Sequence, residues 1–141
     1  MSSRVIQLSR ARAGAIRPPR PIVASSRVVA LAGDSKALQW LPALDPWAQQ
    51  RGLKIVTFLK SSCPLSDAVV QLNGSSYLSC HAGYGAVMQQ LTALHPALVI
   101  TSQVRGTAEA PTGSGEQSSA AMVAGLERTW TALTQQGTAV A

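Results

Sequence analysis

Val28–Trp47, VVALAGDSKALQWLPALDPW, is the stretch on which the reading of the whole chain turns. Val28 to Ala32 are all apolar, the length and composition of a buried strand. Gly33-Asp34-Ser35 closes it, and beyond Lys36 the residues Leu38, Leu41, Leu44 and Trp47 recur at helical spacing. A serine at a strand-to-helix turn lies where backbone N–H groups point outward and a helix start favours negative charge. That position suits a nucleophile whose substrate becomes an oxyanion. It also suits a plain helix cap, which Asp34 and Ser35 both favour, and spacing alone makes the cap the simpler reading.

Outward from this stretch, the pattern alternates. Pro42 and Pro46 interrupt the first helix. Asp45-Pro46 reads as a cap followed by the first residue of a second helical segment, and Gly52 reads as its stop. Trp40 and Trp47 are expected in the core or a groove. Leu53 to Lys60 is a nearly continuous apolar run, as in a parallel strand covered on both faces. Ser61 to Ser79 reads as a long loop with a turn at Asn73-Gly74. Cys80 opens the next helix, whose stripe is Tyr84, Val87, Met88, Leu91 and Leu94.

His95-Pro96 ends that helix. His81 and His95 stand at its two ends and cannot serve one site; His95 reads as a C-terminal cap and His81 as a surface residue. Ala97 to Ser102 is a third strand, and Gln103 to Gly115 a flexible connection. Ser114 with Gln117 fits a capping box. Met122 or Val123, Leu126, Trp130 and Leu133 are the expected buried stripe of the last helix. Gly137 closes it, and Thr138 to Ala141 begins something strand-like.

Strands alternating with helices predict an α/β domain with a parallel sheet and right-handed crossovers. Ligands of such sheets bind beyond the C-terminal strand ends. Here those ends carry Asp34-Ser35, Lys60 to Cys63, and Ser102 to Gly106, all polar segments.

Composition narrows the function. The 141 residues suffice for one domain, and no run of apolar residues is long enough to span a bilayer. The net charge is +6, but residues 1–27 hold six arginines and no acid, whereas residues 28–141 hold six bases and six acids. The basic character thus belongs to an Arg/Pro/Ser-rich segment, residues 1–26, expected to be a disordered tail preceding a domain at 27–141. With no aromatic residue to stack on bases, that tail does not read as a nucleic-acid arm. Two cysteines, Cys63 and Cys80, can form a disulfide or be separate core thiols; a metal site would need more ligands than lie nearby.

Gly33-Asp34-Ser35 after an apolar strand resembles the first motif block of the SGNH (GDSL-type) hydrolases. The wider text, GDSKALQWLPAL and then RGLKIVTFLKSSCPLSD, is similar to the SGNH domain fused to membrane-bound acyltransferases that O-acetylate lipopolysaccharide and peptidoglycan. The resemblance covers about Arg27 to Val104, with Lys36 where that group has a histidine and Ser62 where it has a glycine. It implies a three-layer α/β/α, flavodoxin-like fold, here truncated after the third strand and following helix. It implies Ser35 as the nucleophile, with Gly33, Asp34, Ser62 and Gln103 (or Ser102) in the surrounding oxyanion and site loops.

The resemblance further implies acyl-ester hydrolysis or O-acetyl transfer on a cell-surface glycan, without cofactor or metal. A membrane acyltransferase domain in the full-length protein is the implied partner, and the location is the periplasm or outer face of the membrane. A Cys63–Cys80 disulfide would suit that compartment. The group's base is the histidine of an Asp-x-x-His motif. The residues three beyond Asp34, Asp45 and Asp67 are Ala37, Ala48 and Val70. The chain therefore reads as the N-terminal portion of such a domain, inactive alone; the alternative is a non-catalytic relic or binding module on the same fold.

Overall fold

The computed structural model describes residues 25–104 and 107–141. The expectation of a disordered tail lies outside the described residues, except that Ser25 and Ser26 already belong to the first strand.

That strand, β1 (Ser25–Gly33), is central. It is followed by α1 (Ser35–Leu38), α2 (Leu41–Gln50), β2 (Lys54–Leu59), the short β3 (Gln71–Leu72) and β4 (Ser75–Ser76), and α3 (Leu78–Leu94). β5 (Pro96–Ser102), α4 (Ser119–Gln135) and β6 (Ala139–Val140) complete the order. The main sheet is parallel throughout, in the order β2-β1-β5-β6. The chain steps outward from β1 to β2, then crosses back past β1 to β5 and onward. Right-handed crossovers in opposite directions put α1 and α2 on one face and α3 and α4 on the other.

Alternation along β1 distributes the core. Ala30 pairs in register with Val56 and Val99, so all three face the same side. There Ala30, Ala32 and Val99 pack with Leu91 of α3 and Leu133 of α4, both fully buried. Val29 and Leu31 point to the opposite face and are equally enclosed.

Several local expectations are corrected. Ser61–Ser79 is not simply a loop. Asn73 (φ 54°) and Gly74 (φ 77°) form the two-residue turn of a β3–β4 hairpin, where a turn was expected. The backbone before it is stitched to the stretch after β5: Gln71 N–H donates to the Thr107 carbonyl and Glu109 N–H to that of Val69, both at 2.8 Å. Between them lies a second apolar core of Cys63, Val70, Cys80, Ala108, Met122 and Leu126. Neither segment has an apolar period of its own, so only long-range pairing reveals it.

α2 starts at Leu41 and runs through Pro46, instead of restarting there. One missing donor is a local cost that the buried face can offset. α3 starts at Leu78, not Cys80. α4 is capped by Ser118, whose Oγ accepts from Ala121 N–H at 3.1 Å, while Ser114 serves its own loop by accepting from Glu116 N–H. The buried stripe of α4 is Met122, Gly125, Leu126, Thr129 and Leu133. Trp130 stands outside it, 38% exposed, and Trp40 is 55% exposed. Thr129 takes the inward place because its hydroxyl is fully satisfied. It donates to the Gly125 carbonyl, accepts from Asp67 N–H, and is hydrogen-bonded to the Tyr84 hydroxyl at 3.1 Å. The sheet also continues past the third strand: β6 pairs with β5, and Ala141 N–H donates to the Val99 carbonyl at 2.9 Å.

Cys63 and Cys80 are disulfide-bonded, their Cα atoms 5.5 Å apart. The bond closes the hairpin-bearing segment between β2 and α3. Chain-entropy arguments assign a loop of this size on the order of 3 kcal/mol. A Cys63→Ala/Cys80→Ala protein is expected to lose about that much, read as a fall of roughly 1–3 M in the urea midpoint. A fall under half a molar (~0.5 M) would mean that packing alone holds the segment.

Candidate active site at the carboxyl edge of the sheet

In an order of β2-β1-β5-β6 the chain reverses direction at β1, so the crevice between the ends of β1 and β5 is the switch point where ligands bind. Ser35 follows β1 and Gln103 follows β5, one on each side of it. Ser62 lies beyond β2, on the other flank of β1. The structure thus brings the three expected site segments to one edge. Gly33 lies in register with Leu59 and Ser102, and Lys60 N–H donates to the Gly33 carbonyl at 3.1 Å.

Gly33 is required by this closeness. Its φ is +144°, and an added Cβ would collide with the Ser102 carbonyl oxygen of the neighbouring strand.

Asp34 is buried to 2% exposure and uses both carboxylate oxygens. Oδ1 accepts from Lys36 N–H at 2.8 Å as the cap of α1, and Oδ2 accepts from Val104 N–H at 2.9 Å. Both oxygens thus serve the backbone as acceptors. Asp34 clamps the loop after β5 against the turn that carries Ser35. The cap reading and the site reading of the Gly-Asp-Ser turn are thus divided between two residues: Asp34 caps, and Ser35 is left exposed.

Ser35 is the first residue of α1, so its backbone N–H has no intrahelical acceptor. Its hydroxyl has no hydrogen-bond partner among the described residues. Gln103 is half-buried, and its Oε1 is enclosed without a partner among the described residues.

The turn after β2 is held from several sides. Cys63 N–H donates to the Lys60 carbonyl, the Tyr77 hydroxyl donates to the Ser61 carbonyl at 3.1 Å, and the Lys60 ammonium lies 5.5 Å from the Tyr77 ring centre. Within it Ser62 adopts a left-handed φ of 55° with an exposed side chain. This conformation costs an L-residue about 1–2 kcal/mol and glycine almost nothing. Ser62→Gly is therefore expected to raise the unfolding free energy, by up to about 1 kcal/mol after the entropy glycine loses on folding. A measured decrease would show that the serine side chain has a role in the turn.

Neither histidine is hydrogen-bonded to Ser35 among the described residues. His95 caps α3 at the start of β5, the opposite edge of the sheet, where its ring nitrogens lie 3.0 and 3.1 Å from the carbonyl oxygens of Thr92 and Gln136. His81 is an exposed residue of the first turn of α3. Among the described residues, no cluster of potential metal ligands occurs. The sequence missed the Asp34–Val104 clamp, because the partner is a backbone N–H seventy positions away.

A parallel sheet with a Gly-Asp-Ser turn at its switch point, the serine open and the aspartate clamped, defines an α/β domain of the GDSL type. The chain belongs to the family described as the SGNH domain (fused to AT3 domains), which matches residues 8–141. That match begins inside the segment whose composition reads as a tail. Its fold is similar to that of the periplasmic domain of a lipopolysaccharide acetyltransferase from Salmonella ser. Paratyphi A, with a TM-score of 0.61 and 14% identity. The alignment covers 84% of this chain and 44% of that one, so the chain spans less than half the length of its structural neighbour. A search of curated protein sequences gave no significant match.

Proposed function

We propose that the domain takes part in serine-dependent acyl-ester chemistry, hydrolysis or O-acetyl transfer on a cell-surface glycan. The observation that carries this reading is the open Ser35 at the switch point, held in place by the buried Asp34 clamp. Ser35 Oγ would attack the acyl carbonyl, and the Ser35 N–H would meet the developing oxyanion. Gln103 supplies a further donor once its amide turns its NH2 inward, and the loop carrying Ser62 supplies the third side. Gly33 permits the close approach of the strands that brings Gln103 alongside.

The base is proposed to be a histidine of an Asp-x-x-His segment outside these residues, on an SGNH domain joined to a membrane acyltransferase. The neighbour's periplasmic setting and the Cys63–Cys80 disulfide support an oxidising, extracytoplasmic location. Among the described residues, no helix is long and apolar enough to cross a membrane. The position of His95 at the far edge favours a second reading, a binding module in which Ser35 has no catalytic part. The assay that separates them is hydrolysis of an aryl acetate by the chain joined to a segment that supplies an Asp-x-x-His histidine, with and without Ser35→Ala. Equal rates would leave the binding module standing.

A further inference from the structure

A second concavity lies between β2, the disulfide turn and α3, with a volume of about 340 Å³. Phe58, Leu59, Pro64 and Leu65 form one wall, and Gly83 and Val87 of α3 the other. Ser35 does not line it; Gly33 and Lys60 do, so the cleft reaches the carboxyl edge from the α3 side. Its cause on the helix side is Gly83 and Ala86, three residues apart and so on the same face, whose small size leaves room beside Val87 and Gln90. A Cβ added at Gly83 would meet nothing within 4 Å.

The polar groups are asymmetric. Lys60, the first residue after β2, lines the cleft on the side of the sheet edge, and its ammonium lies 5.5 Å from the Tyr77 ring centre with no carboxylate in ion-pair reach among the described residues. Gln90 is the other long polar side chain of the lining. The volume is at the low end for small-molecule pockets. An extended peptide would bring N–H and C=O groups against apolar walls that cannot satisfy them. A hydrocarbon chain needs no such partners, and a cation at one end calls for an anionic head.

We propose that this cleft binds a single-chain anionic amphiphile, its tail between α3 and β2 and its head group at Lys60. The assignment is independent of the chemistry proposed for Ser35. The test is calorimetric titration with dodecanoate of the 141-residue chain and four variants. Gly83→Leu fills the cleft and is expected to weaken binding roughly tenfold or more, about 1.4 kcal/mol per decade. Gly85→Leu is the control: its Cβ position is equally open but outside the lining, and binding should be unchanged. Both variants should fold, since leucine is a better helix former than glycine. Lys60→Gln should weaken dodecanoate several-fold while leaving dodecanol unaffected, and Ser35→Ala, outside the lining, should leave the dodecanoate affinity where it is. Absence of binding up to the solubility limit, or equal binding by the wild type and Gly83→Leu, would overturn the assignment. So would pelleting with phosphatidylglycerol vesicles in place of dodecanoate binding, which would indicate a membrane surface.

Discussion

Gly33→Ala is expected to be among the most destabilising single substitutions in this domain. Two costs add at this position. A φ of +144° lies in territory that residues with a Cβ occupy at about 1–3 kcal/mol of strain. The new methyl would also press on the Ser102 carbonyl, and forced overpacking typically costs about 1–3 kcal/mol. Neither side can easily give way. Gly33 and Ser102 are register partners in the two central strands, and Ser102 is followed by the loop that the Asp34 clamp fixes. A combined loss of about 2–6 kcal/mol compares with a total stability of roughly 5–15 kcal/mol. The melting temperature should fall by roughly 10 °C or more, where the protein is recovered at all. Gly85→Ala is the matched control: its Cβ meets open space on a helix, and it should stabilise by up to about 1 kcal/mol. Retention of the wild-type melting point by Gly33→Ala would show that the strands separate at no great cost, and that the edge is looser than its geometry implies.

The parts of this fold legible in sequence are those written in local periodicity. The run Val28–Ala32, the strand beginning at Leu53 and the stripe Tyr84–Leu94 each carry their own pattern, so the parallel sheet and the site edge follow from them. The boundaries that misled were decided by distant partners. Thr129 displaces Trp130 from the buried stripe because Asp67, Gly125 and Tyr84 all engage its hydroxyl. The second core depends on Val69–Gln71 meeting Thr107–Glu109, a pairing between segments that each read as loop. The site shows the same division. The place of Ser35 just past the end of β1 was legible from its turn, whereas the clamping part of Asp34 became clear only with Val104 beside it. The apolar cleft had a visible signal, the small residues Gly83 and Ala86 beside Tyr84, but an interrupted stripe does not say whether a neighbour fills the gap.

The largest functional effect is expected at Ser35, and it depends on a partner. Joined to a segment that supplies the histidine, the domain should hydrolyse an aryl acetate about 10²–10⁴-fold faster than the 141-residue chain, the usual worth of a positioned general base. Ser35→Ala in the joined protein should remove that gain. The Ser35 N–H and Gln103 would still polarise the carbonyl, leaving only the residual that oxyanion donors and binding provide. Gln103→Ala should cost about 10²–10³-fold if its amide is one of those donors, with folding unaffected because the side-chain oxygen has no partner to lose among the described residues. In the 141-residue chain the same substitutions should change little, since an unassisted serine hydroxyl is a poor nucleophile near neutral pH. Lys36 is the other conceivable base, as serine–lysine pairs exist. Its side chain is exposed on α1, and its backbone N–H is already committed to Asp34. Turnover by the 141-residue chain that disappeared with Lys36→Ala would therefore replace the histidine mechanism with a serine–lysine one. Full activity of the joined Ser35→Ala protein would remove the serine from the chemistry altogether.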